Sequence, residues 1–187
     1  MIIPIHVLGF AGSLRKASYN AALLRAASEL LPEGMTLEIF DLAPIPLYNN
    51  DVEAAGAPEA VRNFKECIRT ADALLIATPE YNYSIPGVLK NAIDWASRPP
   101  KDSPLSGKPL AIMGASTGQW GTVRAQLHLR QICFANNMFP LNKPEVLVTR
   151  AAEKFDAAGR LTDETTRKYV RALLEALHAW TLRLKEK

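Results

Sequence analysis

What most constrains this chain is an alternation: short apolar runs of strand length, each followed by a longer stretch with helical spacing of its apolar residues. Residues 3–9, 36–40, 73–78, 109–115 and 145–149 read as strands. The first, third and fourth are almost continuously apolar, the mark of interior parallel strands buried on both faces. Between them, Tyr19, Leu23, Ala27 and Leu30 share one helical face, as do Val61, Phe64, Ile68 and Ala71, and later Val170, Leu173, Leu177 and Leu184. Stretches after Pro86 and over roughly 122–136 complete five helices. Five alternations predict an α/β fold, a parallel sheet with helices on both faces. With 187 residues and no repeat or low-complexity tract, one domain spanning 1–187 is expected.

Composition removes several function classes. A net charge of +3, with Lys and Arg spread along the chain, gives no reason to expect nucleic acid or an anionic membrane as partner. The apolar start is too short for a membrane helix and has no basic flank. The two cysteines, Cys67 and Cys133, each fall in a helical apolar pattern, which predicts reduced, buried thiols and a cytoplasmic location. His6, His128 and His178 have no companion ligands at metal spacing, so no metal site is expected. Neither Ser13 nor Ser116 lies in a G-x-S-x-G elbow.

In an open parallel sheet, ligands bind beyond the carboxyl ends of the strands, where the strand order reverses. Three loops at such ends have unusual composition. The first, "GSLRKASYN" from Gly12 to Asn20, precedes a helix that Ser18 can cap. The N-terminus of a helix carries partial positive charge; with Ser13, Arg15, Ser18 and Asn20 around it, the loop can hold an anion. No GxGxxG turn follows the strand, and "SGKP" at 106–109 lacks the glycine of a P-loop, so a mononucleotide phosphate suits this loop better than a dinucleotide. Ordinary capping with exposed cations remains the alternative.

The second loop, "TPEYNYSIPGVLKNAIDW", sets Pro79, Glu80, Tyr81, Asn82 and Tyr83 at a strand end, a place for a flat ring with polar edges. Ser84 is expected to cap the next helix, with Pro86 in its first turn and Leu89, Ala92, Ile93 and Ala96 facing inward. The third, "GASTGQWG", brings three glycines with Ser116 and Thr117. The Pro-bearing segments 43–58 and 98–109 read as long loops serving the site, with Tyr48, Asn49 and Asn50 near substrate or a neighbouring subunit. Trp95 is expected in the core.

Together "GSLRKASYN", "PEYNYSIPGVLKNAIDW" and "GASTGQWGTVRAQLHLRQ" resemble the NADPH-dependent FMN reductase family, in its quinone and chromate reductase branch. The resemblance implies a flavodoxin-like three-layer sandwich, a five-stranded parallel sheet in the order 2-1-3-4-5, with FMN at the switch point. It implies that Ser13, Arg15, Ser18, Tyr19 and Asn20 hold the FMN phosphate, that Pro79, Glu80, Tyr81, Asn82 and Tyr83 line the isoalloxazine, and that Ser116, Thr117 and Gly118 close the other side. Thr122 stands where many relatives have a second consecutive glycine after Gly121. The implied activity is hydride transfer from NADPH or NADH to FMN, in alternation with reduction of a quinone or another small acceptor such as chromate, azo or nitro compounds or free flavin. No acid or base side chain is required, and a homodimer or homotetramer is implied. Two rival readings of the same motifs are a flavodoxin-type electron carrier, which binds FMN without oxidising NAD(P)H, and a non-redox module for another phosphorylated ligand.

Overall fold

The computed structural model describes residues 3–186; Met1, Ile2 and Lys187, the ends of the expected 1–187 domain, lie outside the described residues. The strands are β1 (Ile5–Ala11), β2 (Met35–Phe40), β3 (Ala73–Ala77), β4 (Pro109–Ala115), β5 (Phe139–Pro140) and β6 (Val146–Val148). The helices are α1 (Tyr19–Ser28), α2 (Asn50–Ala55), α3 (Glu59–Thr70), α4 (Gly87–Ala96), α5 (Val123–Ala135) and α6 (Glu164–Lys185). All strand pairs are parallel, in the order β2-β1-β3-β4, and both β5 and β6 pair with β4. The order is therefore 2-1-3-4-5, with the fifth position divided. Asn142, Lys143 and Pro144 interrupt it, and a proline there costs no ladder bond because the strand is at the sheet edge.

Period-2 alternation sorts the strands between two cores. Ile5, Val7, Ala73, Leu75, Ala77, Ala111 and Met113 face α1 and α6, while Leu8, Phe10, Leu74, Ile76, Leu110 and Ile112 face α3, α4 and α5. Each fully buried Leu or Ile contributes about 2 kcal/mol relative to exposure, so both layers are held by ordinary apolar burial. Helix starts are fixed by polar caps. Ser18 Oγ accepts from the Ala21 N–H (3.2 Å), and Asp163 accepts from the backbone N–H (2.7 Å) and hydroxyl (2.6 Å) of Thr166. Those two bonds, with one from Lys154, hold the Asp163 carboxyl down to a pKa of about 2.

Four expectations need correction. Ser84 does not cap α4: Pro86 occupies the cap position without a side-chain bond, and the Ser84 hydroxyl lies 3.0 Å from His128 Nδ1 instead. Segment 98–109 enters β4 rather than leaving it, so it lies at the end of the sheet opposite the site, where Gly107 N–H donates to Asn137 O. Cys133 is buried but Cys67 is only half-buried, on the rim of α3 beside Glu38. The 43–58 loop contains a short helix, α2, whose Asn49 cap accepts from the Asp51 N–H. Tyr48 spends its ring on the buried Trp95 (4.9 Å, edge-on) and its hydroxyl on Glu53 (2.6 Å). Trp95 is core, as expected, and donates to Pro46 O.

Candidate active site

Each strand leaving the sheet at its carboxyl end is tied to a neighbour one residue past its own end. Gly12 N–H donates to Ala77 O, Thr78 N–H to Met113 O and Ser116 N–H to Val148 O. The three loops therefore start from fixed points, side by side, where β1 separates from the crossover to β3. A single cavity of about 170 Å³ opens there, lined by Ser13, Arg15, Ser18, Tyr19, Asn20, Pro79, Glu80, Tyr81, Ala115, Ser116 and Thr117. Ten of the thirteen residues expected from sequence share this lining; Ala115 is the addition, and Asn82, Tyr83 and Gly118 stand outside it.

The first wall is an anion cradle by construction. The first-turn N–H groups of Tyr19 and Asn20 have no intrahelical acceptor, and they point out of the N-terminus of α1. Ser18 is 4% exposed and uses its oxygen as an acceptor for Ala21, which leaves its hydroxyl hydrogen free to donate. Arg15 is exposed and touches only Ala17 O (3.1 Å), so most of its five N–H donors are available. Asn20 is engaged otherwise. Its Nδ2 donates to Ala115 O (3.0 Å) and its Oδ1 accepts from Ala115 N–H (2.9 Å). It clips the first loop to the end of β4, over 95 residues of sequence.

The second wall is a tight two-residue turn. Tyr81 and Ser84 exchange both backbone bonds (3.0 Å each), and Asn82 and Tyr83 between them have φ of 49° and 67°. A type I′ turn needs φ > 0 at both central positions. With non-glycine residues there it stores on the order of 1 kcal/mol or more per residue. What holds it is Glu80, 11% exposed at its side chain: the carboxylate accepts from Arg124 N–H (2.9 Å), Ala125 N–H (3.2 Å) and the Arg124 guanidinium (2.8 Å). Burial pushes the Glu80 carboxyl up, but those three donors outweigh it and the net shift is downward. Arg124 in turn lies over the Tyr83 ring at 4.0 Å and faces Trp120 at 5.8 Å. Tyr81, Tyr83 and Trp120 are 46%, 66% and 59% exposed, an open aromatic rim beside the cavity.

The third wall is held from behind. Gly118 N–H donates to Ser116 Oγ (3.1 Å), Gly118 O accepts from Arg150 N–H and Ser116 O from Ala151 N–H. Gly114 is required where it stands, because a Cβ there would lie 2.0 Å from Thr122 Oγ1 and 2.4 Å from Thr78 O. Thr122 is buried and accepts from the Gln126 amide (3.1 Å), so the threonine at this position closes the space that Gly114 leaves.

Sequence reasoning missed Arg124, Arg150 and the true anchoring of Glu80. No local signal marks them, since Glu80 and Arg124 are 44 residues apart.

A family profile described as NADPH-dependent FMN reductase matches residues 5–153. An NAD(P)H-dependent FMN reductase of Pseudomonas aeruginosa is 58% identical over 181 residues, covering 97% of each chain. An NAD(P)H:quinone oxidoreductase of Solanum tuberosum is 47% identical over 189 residues, covering 98% of this chain and 96% of its own. Among solved structures, the flavoenzyme NAD(P)H:(acceptor) oxidoreductase FerB of Paracoccus denitrificans superposes with a TM-score of 0.88 at 36% identity, over 96% of this chain and 98% of that one.

Proposed function

The chain belongs to the NADPH-dependent FMN reductase family, and from that premise we propose that it is an FMN-dependent NAD(P)H oxidoreductase that reduces quinones. The observation that supports this most directly is the meeting of an anion cradle and an aromatic rim in one cavity at the switch point of the sheet. The residues fit FMN part by part. Ser13, Arg15, Ser18 and the free N–H groups of Tyr19 and Asn20 would hold the phosphate. Pro79, Glu80 and Tyr81, with Asn82 and Tyr83 at the turn, would bound one side of the isoalloxazine, and Ser116, Thr117 and Gly118 the other.

Bound FMN supplies the redox chemistry, taking a hydride from NAD(P)H and passing the electrons on to the quinone. The protein binds, orients and polarises. About 170 Å³ is below the usual 300–1,000 Å³ of a small-molecule pocket, so the cavity would hold the phosphate and ribityl chain, and the exposed residues of the rim, Tyr81, Tyr83 and Trp120, would bound the ring. The open rim would leave room for a nicotinamide and, after it departs, a quinone to bind at the same place. The backbone N–H groups of Glu80, Asn82, Tyr83 and Thr117, in segments fixed by Glu80 and Arg150, would be the donors that stabilise negative charge at the ring edge, since those of Tyr81, Ser116 and Gly118 are already bonded within the protein. No metal-ligating group of three or more His, Cys, Asp or Glu occurs among the described residues, and no helix among them is long and apolar enough to cross a membrane. A homodimer or homotetramer is part of this reading, supported by Leu127 and Phe134 on one side of α5 at 54% and 88% exposure.

The purified protein should be yellow, and anaerobic NADPH should bleach it with no partner protein present. Colour without bleaching would replace the enzyme by an electron carrier; a colourless protein that takes up no FMN would overturn the flavin reading. Arg15→Ala should weaken FMN binding roughly tenfold or more, the scale of a charge-assisted contact, with hydride transfer unchanged at saturating FMN. Unaltered FMN affinity would remove Arg15 from the phosphate site.

A further inference from the structure

The three tryptophans of the chain differ in how their indoles are used. Trp95 is buried and donates its indole N–H to Pro46 O (2.8 Å), and the half-buried Trp180 donates its own to Phe139 O (3.0 Å). Trp120 is 59% exposed, and its indole N–H alone of the three has no acceptor among the described residues. A single exposed ring is ordinary on a protein surface. This one combines an uncovered face, an idle donor and a built support beside a cavity.

The backbone that carries Trp120 is fixed on both sides. Before it, Gly118 donates its N–H to Ser116 Oγ (3.1 Å) and accepts at its carbonyl from Arg150 N–H (3.1 Å). After it, Gly121 has φ 59° and lies so close to β6 that a Cβ there would sit 3.2 Å from the Leu147 carbonyl carbon, and Thr122 is buried. The indole stands on a held crest, so a contact made there orders no loop. The other rings of the rim are more committed. Tyr81 also lines the cavity, and Tyr83 has the Arg124 guanidinium against one face at 4.0 Å. Trp120 pairs with no aromatic ring among the described residues, and Arg124 stands 5.8 Å from its centroid, beyond stacking contact.

On the quinone reductase reading of the site, we infer that Trp120 binds the electron acceptor, stacking on the quinone and donating its indole N–H to a quinone carbonyl, and that it makes the enzyme favour bicyclic quinones over single-ring ones. Stacking gains with the ring area that overlaps. An indole matches the two fused rings of a naphthoquinone, whereas a benzoquinone covers only about half of it. The polar match is one-way as well, since the indole N–H can only donate and a quinone carbonyl can only accept. Trp120 takes up no proton and no electron; its part is binding.

The FMN-loaded protein, reduced anaerobically with NADPH, is mixed in a stopped-flow instrument with 1,4-naphthoquinone or with 1,4-benzoquinone. Each variant is compared with the unaltered protein on the same quinone, which removes the difference in the quinones' own reactivity. Trp120→Ala should lower the second-order constant of flavin reoxidation about tenfold with naphthoquinone and no more than about threefold with benzoquinone, the scale of a lost aromatic contact. Trp120→Phe, which keeps one ring and no N–H, should fall between Ala and Trp with naphthoquinone. Equal losses with the two quinones, or no loss with naphthoquinone, overturn the assignment. So does a fall in the solution mass of Trp120→Ala, which would make the indole an anchor between copies. The quinone reductase reading fails in another way, by a protein that holds no FMN or a reduced flavin that neither quinone reoxidises. Trp120 is then still read by fluorescence. Saturable quenching of indole emission by naphthoquinone that disappears in Trp120→Phe supports the assignment, and quenching that never saturates or that survives in the variant overturns it.

Discussion

The two loops that face each other across the cavity are anchored in opposite ways. The 12–20 loop is held by groups that are neutral: the Gly12 N–H on Ala77 O, the Ser18 hydroxyl under Ala21 and the Asn20 amide on both backbone atoms of Ala115. The 79–84 turn is held by charge, with the Glu80 carboxylate accepting from the backbone N–H groups of Arg124 and Ala125 and from the Arg124 guanidinium, and Arg124 over the Tyr83 ring. A phosphate cradle must keep its fixed dipoles pointing at the anion, and buried neutral clips do that without adding a competing charge. An open rim gains from the opposite design, since a strained turn held by one ion pair stays in place yet leaves its aromatic faces exposed.

Breaking the neutral clip should have the larger effect. Asn20→Ala leaves the buried N–H and C=O of Ala115 without partners, and unsatisfied groups of this kind cost about 1–3 kcal/mol each. The variant should lose about 3 kcal/mol in a chemical denaturation series and lose FMN affinity with it, since the clip ties the cradle to β4. A loss confined to FMN affinity, with stability intact, would mean that Asn20 acts as a phosphate ligand first. Breaking the charged anchor should cost less. Glu80→Gln keeps the shape but removes the charge, and about 1–2 kcal/mol is the expected loss for a partly buried charge-assisted set. Its signature should be kinetic: a raised KM for quinone, with FMN affinity near that of the unaltered protein. If Glu80→Gln expels FMN as readily as Asn20→Ala does, the division of labour between the loops is wrong.

The same contrast explains what the sequence made legible. Ser18 as a cap and the three polar loops at strand ends followed from short windows, because periodicity, capping and loop composition are local signals, while the strand order and the full set of thirteen expected site residues, ten of which line the cavity, were implied by the family resemblance. Asn20 was expected as a phosphate donor, and its pairing with Ala115 could not be read from nine residues of loop. Likewise Glu80 reads as a ring-lining acid, although its carboxylate is turned to α5, and Ser84 reads as a cap although Pro86 already fixes the start of α4. The divided fifth strand was half visible. Val146–Val148 stood out as an apolar run, whereas Phe139–Pro140 is paired only because β4 offers a free edge. In each case the missing fact is a contact between distant segments that both look self-sufficient.

The smallest expected effect sharpens the comparison most, because acid acts on one anchor and not on the other. Glu80 has a folded pKa below the ordinary 4.5, so its pair with Arg124 contributes fully above the unfolded value, and that contribution is lost as pH falls from there through the folded pKa. Nothing in the 12–20 anchor titrates over that range. Asp163, the cap of α6, has a folded pKa of about 2, and its own contribution begins to fall only below its ordinary 3.8, so the last helix does not set the onset. Followed by NMR at falling pH, the indole N–H of Trp120, beside Arg124, should shift before the side-chain amide of Asn20 does. Glu80→Gln should remove the early shift at Trp120 and leave Asn20 as it was. Simultaneous movement of both signals in the unaltered protein would show that the two loops are anchored as one unit.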